Sequence, residues 1–192
     1  MSVVVLLSGW SGAGKDVVGS IVQHKWGFKR LAFADELKRL ICEEYKVPSV
    51  WTETQEGKRN TEPTTGKTVR QLLIQRGQEI RAEKDDPGYF ARCVGNQILQ
   101  QFQSAKGFVI TDWRLPIEIS TLESMLAPYG IPIIKARVYN STQSESPVQD
   151  STTENQLERY IFDAHIQNDG VLYSALEKEV EQKLYDHIFV EE

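Results

Sequence analysis

Cysteine is nearly missing from this sequence: Cys42 and Cys93 are the two in 192 residues. That excludes a disulfide framework. The pair shows no metal-ligand spacing, and each falls in a predicted helix, so both read as reduced core residues. Histidine is scarce too, and His24, His165 and His187 form no motif. The N-terminal apolar run is too short to span a bilayer and lacks a basic leader or cleavage site. The expectation is therefore no anchor and no signal peptide, with the chain in the cytoplasm. Positive charge is in deficit, 22 Lys+Arg against 27 Asp+Glu for a net −5. This argues against a surface devoted to nucleic acid polymer or anionic membrane, and it requires any anionic substrate to be met by clustered cations.

What is present is an ordinary globular composition, 40% hydrophobic and 26% charged, over the length of one domain. It is organised around Val3 to Val17, VVVLLSGWSGAGKDV. A continuous apolar run marks a strand buried on both faces, and Val17, Val18, Ile21 and Val22 follow at helical spacing. Between them, G-x-x-x-x-G-K is complete from Gly9 to Lys15. A turn through Gly9, Gly12 and Gly14 presents successive backbone N–H groups inward, and the following helix adds its unpaired amides and positive dipole end. Lys15 then reaches phosphate oxygens as a mobile point charge. The hydroxyl expected after that lysine is missing, since position 16 is Asp and position 17 Val. Asp16 near a polyphosphate implies Mg²⁺ between them, or else it faces an incoming acceptor.

Phe28 to Phe33 reads as a second strand, and Ala34 to Tyr45 as a helix with Leu37, Leu40 and Ile41 on one face. Their connection, FADELK, puts Asp35 at the helix N-cap. It also lies where α/β sheets bind ligands, so Asp35 and Lys38 are open between cap or surface and site. Lys46 to Lys67 turns polar, with the cations Lys58, Arg59 and Lys67, and reads as a long loop or small insertion. Thr68 caps a helix, VRQLLIQRGQEIRAE, with Val69, Leu72, Leu73 and Ile80 on one stripe and Arg70, Arg76 and Arg81 off it. Gly77 marks close approach of a nucleobase or another helix, or a break between two helices. Pro87 begins a further helix, where Tyr89 and Phe90 stack on a base or pack in the core.

Gly107 to Thr111 is a third strand. Asp112 at its carboxyl end is placed to hold a Mg²⁺ shell or accept a hydroxyl proton, with Arg114 and Glu118 following. The plain alternative is a strand-terminal turn, DWRLP, with Pro116 opening a helix. Ile131 to Val138 is a fourth strand. Tyr139 to Thr153, rich in Ser, Thr, Gln and Pro, suits a mobile lid with Arg137 at its hinge, set to clamp phosphates on closure. Glu154 to Phe162 reads as helix, Ala164 to Gln167 as a short fifth strand and Val171 to Asp186 as a final helix. Five strands alternating with helices give an α/β fold with a parallel sheet covered on both faces.

The GKD variant of the loop, FADELK, VRQLLIQRG with a later Arg, DWRLPIE and the tail TENQLE…DAHIQNDG together resemble deoxynucleoside monophosphate (dNMP) kinases of the bacteriophage and large-virus type. The resemblance spans nearly the whole chain. It implies a three-layer P-loop kinase domain with its core in about 1–33, 105–138 and 160–192, a helical NMP-binding part in about 34–104 and a lid in about 139–158. It further implies transfer of the γ-phosphoryl of ATP to a dNMP with Mg²⁺, in the host cytoplasm if the chain is viral. Carried over by motif, Gly9, Ser11, Gly12, Ala13, Gly14, Lys15 and Asp16 hold ATP; Val17, next in the loop, and Arg137, from its place at the hinge, complete the ATP-binding set. Asp35, Lys38, Arg70, Gly77, Arg81, Phe90, Asp112, Arg114 and Glu118 hold the acceptor, and Asp16 and Asp112 the metal. The catalytic set is Lys15, Asp16, Arg70, Asp112 and Arg114. Two positions depart from the family pattern: Val17, where a hydroxyl residue is frequent, and Tyr89-Phe90, where a tryptophan tends to stand. Rival readings are another small-molecule P-loop kinase, of the phosphomevalonate or dephospho-coenzyme A type, and an ATP-sensing module without turnover. No guanine-reading N-K-x-D occurs, which weakens a switch reading, and a homodimer is compatible with the sequence.

Overall fold

Val4–Ser8 (β1) is buried at every position, as a strand covered on both faces must be. It lies at the centre of a five-stranded, wholly parallel sheet in a computed structural model that describes residues 2–140, 154–170 and 172–189. The other strands are Lys29–Leu31 (β2), Phe108–Ile110 (β3), Ile133–Tyr139 (β4) and Ala164–Gln167 (β5), in the order β2-β3-β1-β4-β5. Register is fixed by Val5 opposite Val109 on one side and Ile134 on the other.

Alternation along β1 sorts the helices into two layers. Val5 and Leu7 join Val18, Ile21 and Val22 of Lys15–Trp26 (α1) and Leu176, Val180 and Leu184 of Tyr173–Ile188 (α7). Val4 and Leu6 face the opposite way, onto Val94 and Ile98 of Tyr89–Gln101 (α5) and Ile119, Leu122 and Leu126 of Pro116–Leu126 (α6). A third, smaller cluster, Ile41, Val47 and Leu72, joins Ala34–Tyr45 (α2) to Val69–Glu83 (α4). The expected α/β class is what the structure shows. Among the described residues, no helix is long and apolar enough to cross a membrane.

Several local expectations are corrected. Residues 46–67 form a structured insertion, with a short helix Ser49–Glu53 (α3), a 3₁₀ turn Gly57–Arg59 and an antiparallel bridge between Thr61 and Thr68. Its anchor is Glu62, 2% exposed, whose carboxylate accepts the Thr64 and Thr65 amides at 2.8 and 2.7 Å. Gly77 does not break α4; a Cβ there would lie 3.1 Å from Leu37 Cδ2, so the close approach is of α2. Asp86 and Gly88 delay α5 until Tyr89. Residues 154–162 are not a helix beyond the 3₁₀ turn Glu154–Leu157. Tyr160 and Phe162, two positions apart, both pack on Trp113 while Ile161 between them is 83% exposed, a spacing no helix provides. The expected lid falls mostly on 141–153, outside the described residues.

Candidate active site

All five strands point their carboxyl ends the same way, and there the candidate residues converge. The connection from β1 to α1 turns through Gly9, Gly12 and Gly14 with φ of 147°, 83° and 94°, values that disfavour any residue with a Cβ. Gly9 passes so close to β4 that a Cβ would sit 2.3 Å from the Val138 carbonyl oxygen. Gly14 is the N-cap of α1 and carries no side-chain cap, so the positive end of the helix opens towards the loop. Lys15 folds over this turn, donating to the carbonyls of Gly9 at 2.7 Å and Trp10 at 3.0 Å. Ala13 is buried against the core, whereas Val17 is exposed. Ser11 lies on the exposed rim of the turn.

Asp16, in the first turn of α1, holds its carboxylate out to solvent, 3.7 Å from an Arg30 guanidinium nitrogen. Arg30 also approaches Asp35 at 3.5 Å, and Lys38 stands 3.6 Å from Asp35 and 2.9 Å from Glu53. Arg30 thereby links the phosphate loop to the start of α2. Asp35 is not the cap of that helix. The N-cap is Phe33, and the Phe33 and Ala34 amides donate to the two carboxylate oxygens of Asp112 at 2.8 and 3.0 Å. Asp112 thus reaches from the end of β3 to cap a helix that starts about 80 residues earlier.

The segment after Asp112 is locked from within. Trp113, fully buried, donates from its indole nitrogen to Leu115 O at 3.0 Å, and Glu118 accepts the Arg114 and Leu115 amides at 2.9 and 3.0 Å. Arg114 is left projecting outward. Burial pushes the Glu118 carboxyl up to about 7, with the Asp112 charge adding to the effect and the two backbone amides and Arg81 opposing it. Burial also raises Asp112, against the Ala34 and Phe33 amides and Arg114. Arg81 lies 4.9 Å over the Phe90 ring and bonds Gly77 O at 3.2 Å; burial lowers it, and Glu118 offsets this in part. Phe90 is 3% exposed, so its ring is core and an arginine platform rather than a free stacking face.

Facing this segment is a wall of cations from the helical part. Arg70 of α4 donates to Gln55 at 2.6 Å, just before the 3₁₀ turn that carries Lys58. Burial depresses Lys58, and the charges of Lys38, Arg70 and Arg114 depress it further. Cations from three other segments, Lys38 of α2, Arg70 of α4 and Arg114 after β3, thus lie near enough to Lys58 to act on it.

At the other side of the loop, Arg137 near the end of β4 is 7% exposed and donates to Leu157 O at 3.1 Å. Its guanidinium stacks between Phe162 and Tyr139, 5.4 and 5.8 Å from their centroids. With Trp10, Glu158, Tyr160 and His165 these residues line a cavity of about 290 Å³.

The structure therefore gathers Lys15, Asp16, Asp35, Lys38, Arg70, Asp112, Arg114 and Glu118 around the strand ends. It withdraws Phe90 into the core and gives Gly77 to helix packing. Three contributors escaped the sequence. Asn168, after β5, donates to Ala13 O at 2.9 Å and touches the space above Gly14. Arg30 looked like an ordinary strand residue, and Lys58 lay in a stretch without periodicity. For Asn168 the signal was its place at a strand's carboxyl end.

The loop fits a nucleoside triphosphate: an uncapped helix terminus, three positive-φ glycines and a lysine already turned over them. For Mg²⁺ the protein offers carboxylates only sparingly. Among the described residues no group of three or more His, Cys, Asp or Glu is arranged to hold a metal, and both Asp112 oxygens already accept amides.

No protein-family model matches the sequence, and no curated protein matches it. Solved structures do share its fold over nearly the whole chain. A sugar kinase from Janibacter sp. HTCC2649, solved unliganded, is 13% identical, with 96% of this chain and 95% of that one covered at a TM-score of 0.50. A gluconokinase from Sinorhizobium meliloti 1021 is 13% identical, covering 97% and 93%, at 0.50. The Mycobacterium tuberculosis APS kinase CysC, in complex with AMPPNP and APS, is 11% identical, covering 96% and 98%, at 0.51. At such identities the likeness is one of fold alone.

Proposed function

We propose that this chain is an ATP-dependent kinase of deoxynucleoside monophosphates, transferring the γ-phosphoryl group to the acceptor's phosphate oxygen with release of ADP. The observation that carries this reading is the pairing of two phosphate-seeking structures at one strand edge, the glycine turn with Lys15 and the cation wall of Lys38, Arg70 and Arg114. A neutral sugar needs no such wall, whereas a phosphomonoester carries up to two charges; this favours a nucleotide acceptor over a hydroxyl-only one. The kinase fold of the similar structures and the motif resemblance support the same reading.

Phosphoryl transfer asks mainly for alignment and for cations around the transferred group. Lys15 leaves the Gly9 and Trp10 carbonyls for the donor's terminal phosphates, and the amides of the turn hold the remaining oxygens. Arg114, fixed at its backbone by Glu118, and Arg70 steady the acceptor phosphate. Asp112 keeps α2 and β3 in register, and with Asp16 it would complete the shell of a Mg²⁺ that neutralises charge between the phosphates. Arg137, at the end of β4, is assigned to the donor side.

The test is a coupled assay for ADP with ATP, Mg²⁺ and each dNMP and NMP in turn, with gluconate, adenylylsulfate, phosphomevalonate and dephospho-coenzyme A as competing candidates. At least one dNMP is expected to turn over, and Lys15→Ala to abolish it. ATP hydrolysis indifferent to every monophosphate would overturn the assignment.

A further inference from the structure

We propose that Lys58, delivered by the 3₁₀ turn Gly57–Arg59, is a binding and specificity-determining residue of the acceptor site, completing with Lys38, Arg70 and Arg114 a receptor for a dianionic phosphomonoester. The proposal rests on the acceptor reading above and extends it to the inserted segment 46–67.

The turn is fixed in place, so Lys58 is presented rather than trailing. Gly57 lies against α3 so closely that a Cβ would meet Val50 O at 2.5 Å and the Trp51 Cα at 2.6 Å. The Gly57 amide donates to Thr54 Oγ1 at 2.9 Å, the Lys58 amide to Thr54 O at 3.0 Å, and Asn60 O accepts the Val69 amide from the first turn of α4 at 3.0 Å. Arg70, one residue further along α4, bonds Gln55 of the same segment, and Lys38 of α2 bonds Glu53 at the end of α3. Three helices thus converge on this turn.

The state of the ammonium points to a ligand. Lys58 is half-buried, yet among the described residues it donates no hydrogen bond and enters no ion pair, while three other cations act on it. Glu53 favours its charge, but Lys38 already holds that carboxylate at 2.9 Å. Lys67, a surface lysine of the same segment, does what such residues do and bonds Gln75. A partly desolvated ammonium surrounded by like charge is unfavourable in the empty protein and becomes favourable when an anion of charge near −2 sits between the cations. Such a site prefers a phosphomonoester to a singly charged carboxylate or sulfate.

The experiment compares Lys58→Met and Lys58→Arg with the unchanged protein, and with Lys178→Met on α7 as a remote control. It measures kcat and KM for the best dNMP and for ATP, and the melting temperature with that dNMP, its unphosphorylated nucleoside or no addition. Loss of one charge-assisted contact raises the acceptor KM of Lys58→Met about tenfold or more, leaves the ATP KM within about twofold, and is largely restored by Lys58→Arg. Without ligand, Lys58→Met melts no lower than the parent, because a like charge has been removed. Its dNMP-induced shift in melting temperature is lost, and the nucleoside shifts neither protein. An acceptor KM within about twofold of the parent overturns the proposal, and so does a nucleoside shift as large as the dNMP shift. If the parent phosphorylates no monophosphate, the functional reading falls separately. Lys58 is then judged on the melting shift alone: loss in Lys58→Met upholds its role, and persistence or the absence of any shift overturns it.

Discussion

Gly9→Ala should be among the most damaging single-methyl changes in this chain, and the structure says by how much and why. At φ 147° an alanine is strained by about 1–3 kcal/mol. Its methyl would also lie 2.3 Å from Val138 O and 3.3 Å from Val138 C, backbone atoms of β4 held in the sheet by β1 and β5. Forcing them apart adds about 1–3 kcal/mol of overpacking. A total near 4 kcal/mol lowers the melting temperature by roughly 8–16 °C in a domain of this size. Gly14→Ala makes an instructive contrast. Its φ is 94°, but its methyl would meet Asn168 Nδ2 at 2.2 Å, the end of a side chain that can swing away at the expense of its bond to Ala13 O. Strain plus one lost hydrogen bond comes to about 2–3 kcal/mol. In an Asn168→Ala background the steric part disappears, so the two changes are less than additive. Thermal unfolding followed by circular dichroism gives the ranking, and repeating it with ATP reports whether the turn still grips phosphate. A Gly9→Ala protein as stable as the parent, or more stable than Gly14→Ala, would refute the claim that β4 sets the shape of the loop.

On the kinase reading proposed above, Lys15→Ala should fold normally yet lose about 10²–10³ or more in kcat, since its cation would neutralise the transferring phosphate; retention of a tenth of the activity would remove it from the catalytic set. Asp112→Asn keeps an oxygen for one of the Phe33 and Ala34 amides and turns an NH₂ towards the other, so urea unfolding should show a loss of about 1–2 kcal/mol, and no loss would mean the cap is idle. Glu118, with its folded value near 7 above the ordinary 4.5, is held more tightly protonated in the folded protein. The stability it contributes is complete below about pH 4.5 and is lost as pH rises through about 7, an effect on the order of 3 kcal/mol. Glu118→Gln should flatten stability against pH across that window, and an unchanged profile would show that the slope comes from elsewhere.

The layers of this fold were legible because periodicity carries them. A run of buried valine and leucine could only be a central strand, and Ala34–Tyr45 and Val69–Glu83 emerged with the bounds their patterns implied, the latter with its Thr68–Gln71 capping box. Residues 154–162 misled because Leu157, Tyr160 and Ile161 satisfy a helical stripe on paper. What decides their conformation is Trp113, a residue nearly 50 positions away whose ring takes Tyr160 and Phe162 together. Tertiary packing overrides local propensity at just such places.

The shape of the glycine turn was equally legible, since it lies in consecutive residues, with Gly9, Gly12 and Gly14 all at positive φ before α1. The charged network around it was not, because it depends on which oxygen accepts which proton across the fold. Asp112 shows why. A carboxylate at a strand's carboxyl end suggests a metal or a base, yet its two oxygens accept the first amides of α2, so part of its role is to tie the start of α2 to the end of β3. Arg30 performs a similar linkage between Asp16 and Asp35 from a strand position that carries no motif. Residues of this kind fix the glycine turn and the end of β3 relative to the start of α2. Under the phosphoryl transfer proposed above, substitutions at Asp112 or Arg30 should therefore affect turnover more than nucleotide affinity.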